Sequence, residues 1–284
     1  MERFTLHIRD RILTYDRPVV MGILNVTTDS FYAASRCYDN DVIAARVRQI
    51  VAEGADIIDV GAYSTRPGAS EVSVDQETDC LGRAMEIVRR EAPDAVVSVD
   101  TFRASVARAA VAEMGCDIVN DVAGTNLDPD MVSTVASLGV PYILTLMRGT
   151  PADMMEYAKY EDVTADVLSE LGDRIEWLAL EGVADIIVDP GIGFAKTLEQ
   201  NYRLLHDLEI LKVLHRPILV GVSRKSLITR LLGITADDAL EATTALNAMC
   251  LDRGADILRV HDVRAARHAV DIYNALSFGL PDKT

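Results

Sequence analysis

The sequence predicts an α/β fold: a single (β/α)8 barrel of the TIM-barrel class, preceded by a short N-terminal β-hairpin. Three observations predict it. A phrase of glycine, short apolar run and polar tip recurs along the chain. Apolar runs of strand length alternate with stretches of helical periodicity, and eight such units in about 250 residues suit this barrel. The dinucleotide fingerprint G-x-G-x-x-G is absent, which weighs against the rival open, doubly wound sheet.

The elements follow in chain order. Phe4–Ile8 and Arg11–Tyr15, around Asp10, read as a hairpin able to plug the barrel floor. Residues 19–25 read as the first barrel strand. Four repeats supply four more: Gly54-Ala55-Asp56-Ile57-Ile58-Asp59-Val60, Gly115-Cys116-Asp117-Ile118-Val119-Asn120-Asp121, the run from Gly182 to Asp189, and Gly254-Ala255-Asp256-Ile257-Leu258-Arg259-Val260. In each, the glycine suits the left-handed residue that ends a helix, and the β-branched run suits a strand buried on both faces. Residues 95–100, 140–147 and 217–223 complete eight strands. Helices are predicted over 42–53, 75–90, 104–114, 129–138, 162–181, 198–214, 226–232 with 236–253, and 263–275. Val42, Ala45, Val47, Ile50 and Val51 illustrate the helical spacing. No linker or low-complexity tract interrupts the pattern, so one domain is expected, with a hairpin at 1–17, a barrel at 18–276 and a tail at 277–284.

Composition narrows the function. Of 284 residues 49% are apolar and 25% charged, enough for a large core, and with 5% aromatics that core must be mostly aliphatic. The net charge of −16 opposes non-specific binding to nucleic acid or an anionic membrane. It leaves room for an anionic substrate, because a few cations reverse the sign inside one pocket. Cys37, Cys80, Cys116 and Cys250 form no C-x-x-C pair, so zinc and redox motifs lack support, and scattered thiols fit a reducing cytosol. The N-terminus lacks a signal-peptide apolar region, and the uncharged run at 131–147 is short of the roughly 20 apolar residues of a membrane span. A soluble cytoplasmic protein is expected.

In a closed parallel barrel, function collects at the C-terminal ends of the strands. The tips here are Asn25, Asp59, Asp100, Asn120-Asp121, Met147, Asp189, Ser223-Arg224-Lys225, and Arg259 with His261. Asp100, Asn120 and Asp189 suit a flat heterocycle rich in N–H donors, since a carboxylate accepts two parallel N–H bonds from an amidine-like edge. Arg66, Arg224, Lys225, Arg259 and His261 suit a phosphate or another anion. Each has a plainer role when taken alone: an Asp at a strand end is more often a cap or turn former, and Met147 is more often core. His7, His206, His215 and His268 read as structural or exposed. The functional reading rests on coincidence at successive tips.

Longer motifs then carry a resemblance across about residues 18–273. They are Met21-Gly22-Ile23-Leu24-Asn25-Val26-Thr27, Ser64-Thr65-Arg66-Pro67-Gly68-Ala69, Ser98-Val99-Asp100-Thr101, Asn120-Asp121, Asp189-Pro190-Gly191-Ile192-Gly193-Phe194-Ala195-Lys196, Ser223-Arg224-Lys225-Ser226 and Arg259-Val260-His261-Asp262-Val263. In this order they resemble the dihydropteroate synthases, folate-pathway transferases and the targets of sulfonamide drugs. The resemblance implies that a pyrophosphorylated hydroxymethyl-dihydropterin condenses with p-aminobenzoate, releasing dihydropteroate and pyrophosphate with Mg²⁺ assisting, in a homodimer. It implies catalytic roles for Asp100, Lys225, Arg259 and His261. Pterin contacts fall to Asp100, Asn120, Asp189 and Lys225. Pyrophosphate contacts fall to Asn25, Arg66, Arg259 and His261, with Asn25 also near the metal. The p-aminobenzoate pocket is shaped by Thr65, Pro67, Phe194 and Ser226, where a helix starting at Ser226 is expected to help bind a carboxylate. The stretches 27–40 and 62–70 read as lids.

The chain departs from the family at Thr28, where proline is usual, at Ala33, near which an aspartate is expected, at Tyr63, for glutamate, and at Leu146, for histidine. Two other readings stay open at this stage. Methyltetrahydrofolate–corrinoid methyltransferases share the pterin barrel but do not need the pyrophosphate cations. A non-catalytic pterin-binding protein would suit the altered lid.

Overall fold

The computed structural model describes residues 3–26, 39–63 and 72–280. Strands β1 (Phe4–Ile8) and β2 (Arg11–Tyr15) pair antiparallel as the expected hairpin. The barrel strands are β3 (Val19–Asn25), β4 (Ile57–Gly61), β5 (Val96–Asp100), β6 (Ile118–Asp121), β7 (Tyr142–Thr145), β8 (Ile186–Asp189), β9 (Leu219–Val220) and β10 (Ile257–Val260). All pair in parallel in the order β8-β7-β6-β5-β4-β3-β10-β9, and a bridge between Val188 and Ile218 joins the two ends. Around them lie α1 (Asn40–Ala52), α2 (Val74–Glu91), α3 (Ala104–Ala112), α4 (Met131–Leu138), α5 (Val163–Leu180), α6 (Leu198–His206), α7 (Ser226–Leu232), α8 (Leu240–Asp252) and α9 (Val263–Phe278).

Several strands and helices are a few residues shorter or longer than expected, and three larger differences stand out. The helix expected over 198–214 is two: α6 stops at His206 and a 3-10 segment, Leu208–Leu214, follows. Asp207 sits at the break, its carboxylate tied to Thr164 Oγ1 (2.9 Å) and Arg203 Nε (2.6 Å). The helix expected from 236 begins at Leu240, because the carbonyls of Ala236 and Asp237 accept from Arg224 instead. A 3-10 turn at Met154–Tyr157 was not expected. Cys116 and Cys250 are free and buried, but Cys80 is disulfide-bonded, which corrects the expectation of four free thiols and withdraws cysteine usage as an argument for a reducing compartment. Among the described residues no helix is long and apolar enough to cross a membrane.

Strand alternation divides the core in two. Outward residues such as Val20, Ile58, Val97, Val119, Leu144, Val188, Val220 and Leu258 pack against the helices. Inward residues Val19, Met21, Ile57, Val96, Ile118, Ile143, Ile187, Leu219 and Ile257 form a separate cluster, which Leu6 and Ile8 of the hairpin close from below. The plug expected of the hairpin is therefore a packed floor.

The repeats explain how the floor is held. Their glycines Gly54, Gly115, Gly182 and Gly254 all take positive φ, from 72° to 97°, turning the chain out of a helix. The aspartate that follows then serves structure. Asp56 accepts the Val20 N–H, Asp117 the Val97 N–H and Asp256 the Ile218 N–H, each at 2.8 Å, at the start of a neighbouring strand. Asp185 accepts the His7 N–H at 2.7 Å and ties in the hairpin. Arg267, Arg9 with Arg89, and Lys212 pair with Asp56, Asp117 and Asp256 respectively. The pairs at Asp117 and Asp256 satisfy buried charges that would otherwise be costly; Asp56 is only partly buried.

Candidate functional site

Two residues beyond the apolar inner cluster, the inward side chains change character. Ile57 is followed inward by Asp59, Val96 by Ser98 and then Asp100, Ile118 by Asn120, Ile143 by Thr145, Ile187 by Asp189, Leu219 by Gly221 and Ile257 by Arg259. A polar cup thus sits on an apolar floor at the C-terminal mouth, where barrel chemistry is built. Register brings the strands level: Asp100 pairs with Asn120 and with Gly61, and Gly61 pairs with Asn25.

Arg259 organises the cup. Its Nε donates to Asp59 Oδ2 at 2.6 Å and its Nη2 to Asp100 Oδ2. Asn120 Nδ2 donates to both Asp59 oxygens at 3.3 Å. Lys225 lies beside Arg259, its Nζ and the Arg259 Cβ lying 3.9 Å and 3.8 Å from the point a Cβ on Gly221 would occupy. Glycine at 221 therefore keeps the space between them open. Lys225 Nζ donates to the Ile192 carbonyl at 2.6 Å and lies 4.8 Å from the centre of the Phe194 ring.

The loop after β8 is shaped by Asp189, whose Oδ1 accepts the Gly191 N–H at 2.8 Å. Gly191 has φ +71°, and a Cβ there would lie 1.9 Å from the Leu146 carbonyl, so glycine is required. Lys196, which sequence reasoning did not place in the site, is buried behind this loop and donates to the Gly191 (3.1 Å) and Phe194 (3.2 Å) carbonyls. Two ammonium groups thus grip the loop that carries Phe194.

Burial sets the charges. It pushes the Asp100 carboxyl up to about 7 against the pull of Arg259, with Asp59 adding repulsion. It raises the Asp189 carboxyl above the usual range against Lys225. It lowers the Lys225 ammonium to about 8 and the Lys196 ammonium to about 7, each opposed by Asp189. Asp59 and Asp100 together hold the Arg259 guanidinium firmly protonated despite its burial.

The expected site residues divide clearly. Asp100, Asn120, Asp189, Lys225, Arg259 and Phe194 come together at the mouth. Asn25 joins them at its edge: its Oδ1 and the Asp100 Oδ2 lie 3.6 and 3.7 Å from the point a Cβ on Gly61 would occupy. His261 follows β10, where its N–H donates to Ser223 Oγ at 3.2 Å and its carbonyl accepts from Arg46. Ser226 opens α7, directly after Lys225, and is exposed. Thr65, Arg66 and Pro67, with Thr28 and Ala33, lie outside the described residues.

Arg224 leaves the cationic set, because its φ of +55° turns it away and its guanidinium pairs with Asp262 at 2.8 and 2.9 Å. Asp121 faces outward and secures its own loop through the N–H groups of Ala123 and Thr125 (2.8 Å each) and the Tyr142 hydroxyl (2.6 Å). Tyr63 packs edge-on against Phe102 at 5.0 Å, with Arg103 lying 5.2 Å from both rings. Leu146 and Met147 are fully buried core. His7, His206, His215 and His268 are exposed.

These features define the class: a parallel barrel whose mouth brings acids and an amide together with buried cations. Residues 21–261 match the family described as pterin binding enzyme. The dihydropteroate synthase of Bacillus subtilis is 37% identical over 95% of this chain and 93% of its own length. A solved dihydropteroate synthase of Yersinia pestis, in a sulfonamide drug complex, superposes with a TM-score of 0.88 at 35% identity, covering 96% of this chain and 99% of that one. The Xanthomonas albilineans enzyme in complex with 7,8-dihydropteroate gives 0.85 at 34% identity, over 98% and 100%. A mitochondrial folate synthesis bifunctional protein of Arabidopsis thaliana is 41% identical over 95% of this chain but only 52% of its own length, so the chain spans about half of that longer relative. The chain belongs to the pterin-binding enzymes and, within them, to the dihydropteroate synthase family.

Proposed function

We propose that the chain catalyses condensation of 6-hydroxymethyl-7,8-dihydropterin pyrophosphate with p-aminobenzoate, giving 7,8-dihydropteroate and pyrophosphate. The observation that carries this reading is the meeting of Asp100, Asn120 and Asp189 with Arg259 and Lys225 in one mouth. A substrate with a polar ring and an anionic arm fits that arrangement; methyl transfer from a folate would not call on the cations.

An aryl amine is a weak nucleophile, so the carbon it attacks must be strongly electrophilic. Asp189 and Asn120 hold the ring, and Lys225 supplies a donor beside Phe194. Arg259 and His261 stabilise charge growing on the departing pyrophosphate, and the Asp100 carboxylate faces the cation left on the ring methylene. The step is written as a dissociative substitution: the carbon–oxygen bond to pyrophosphate breaks with its electron pair, the amine nitrogen then bonds to the carbon, and the amine releases a proton. No protein nucleophile is required.

Asn25 Oδ1, at the edge of the mouth, is a hard oxygen donor of the kind that suits Mg²⁺, which binds through few protein ligands and completes its shell with phosphate oxygens and water. Asn25 would hold it, and when bound it would supply neutralising charge at the pyrophosphate. A cytoplasmic address belongs to the same reading, and fractionation of the source cells tests it. A second copy of the chain is the expected partner: Met249, Ile272, Leu276, Phe278 and Leu280 are exposed apolar side chains on and beyond α8 and α9, and sedimentation tests whether a dimer covers them. The central experiment is an assay with the dihydropterin pyrophosphate, p-aminobenzoate and Mg²⁺, with and without a sulfonamide. Pyrophosphate release that depends on p-aminobenzoate is expected. Tight pterin binding without release would favour a binding protein, and methyl transfer to cobalamin would favour the corrinoid enzymes.

A further inference from the structure

We propose that Asp59 is a positioning residue: one buried carboxylate holds Arg259 and Asn120 together, aligning the anion-binding and ring-binding halves of the cup. The inference rests on the functional reading above and adds a residue to it. Asp59 is fully buried, one inward position above the apolar floor. Its Oδ2 takes the Nε edge of Arg259 at 2.6 Å, while Asp100 on the next strand takes Nη2. Two carboxylates on adjacent strands thus fix the plane of the guanidinium.

The bonds to Asn120 decide the chemistry of that amide. With Nδ2 directed at both Asp59 oxygens at 3.3 Å, the amide's orientation is fixed, and Oδ1 is turned away from Asp59 as an acceptor for a ring N–H. A neutral amide in place of the Asp59 carboxylate could not do the same work. In either orientation it would set an N–H₂ donor against Arg259 Nε or against Asn120 Nδ2.

The test is Asp59→Asn in the full chain, a substitution of nearly the same shape. The probes are a dihydropterin without pyrophosphate and inorganic pyrophosphate. Affinity for both is expected to fall about tenfold, although Asp59 is not placed in contact with either. The Arg259 Nε–H resonance, assigned by its loss in Arg259→Lys, is expected to move to the position of solvent-exposed arginines. In an Asn120→Ala background, adding Asp59→Asn is expected to lower pterin affinity no further.

Unchanged affinities with an unchanged resonance overturn the proposal, and so does an additive pterin loss in the double variant. If Asp59→Asn does not fold, the wild-type resonance carries the test: a downfield, slowly exchanging signal supports the bond to Asp59 and a solvent-averaged one overturns it. A wild-type chain that binds neither probe overturns the functional reading, and this inference with it. A wild type that binds both, beside a variant that does the same, overturns only the role of Asp59.

Discussion

Asp189→Asn tests the proposed ring-reading half of the cup. In the native chain one carboxylate oxygen accepts the Gly191 N–H at 2.8 Å, which leaves the other for a ligand. Asparagine keeps the shape and can keep the bond to Gly191 through its carbonyl oxygen. Its amide nitrogen then meets a ring N–H, donor against donor. A hydrogen bond to a charged group contributes about 1.5–3 kcal/mol, and each 1.4 kcal/mol is tenfold in affinity. The dissociation constant for a dihydropterin lacking pyrophosphate is therefore expected to rise about 10- to 150-fold, measured by calorimetric titration. The melting temperature should change little, because the loop's own bond survives. A rise of less than about threefold in a folded variant would refute the assignment of Asp189 to the ring.

Other outcomes test the rest of the site. Arg259→Met should destabilise the chain by about 3–5 kcal/mol in urea unfolding, because Asp59 and Asp100 lose the cation that pairs them; a smaller cost would mean those carboxylates find other partners. Binding of the same pterin should weaken as pH falls through about 7, where the raised Asp100 carboxyl takes up a proton and ceases to accept as an anion. It should weaken again as pH rises through about 8, where the Lys225 ammonium is lost, so a profile that stays flat well below the first value and well above the second contradicts both roles. Chelation of Mg²⁺ should abolish product formation yet spare pterin binding; undiminished turnover in chelator removes the metal from the reading. Lys196→Met should raise the KM for p-aminobenzoate more than it weakens pterin binding, because it releases the Gly191 and Phe194 carbonyls behind the ring; equal losses would contradict that division.

Much of the site was legible in the chain, and its gaps have a physical cause. Asn120 and Asp121 are adjacent, and both looked like mouth residues. Alternation sends Asn120 into the cup and Asp121 outward to Tyr142. Arg224 and Lys225 divide in the same way, through the positive φ of Arg224 and its pairing with Asp262. Asp59 was read as a strand tip, but its work depends on two partners 61 and 200 residues away, which no local spacing reveals. The aspartates of the repeats went unread because their partners are backbone N–H groups of neighbouring strands. Lys196 belonged to a quoted motif, yet only the fold of the loop turns it toward two carbonyls.

Local physics alone determined the eight strands, the helices between them, the glycines that end those helices and the polar residues at the strand tips. Period, propensity and backbone sterics are properties of a short segment, so a short segment carries them. Tertiary structure decided which tips face one another, which ammonium groups are buried and how one guanidinium is shared by two carboxylates. Those outcomes depend on strand register around a closed barrel and on the dielectric inside its mouth, and neither exists until distant parts of the chain have met.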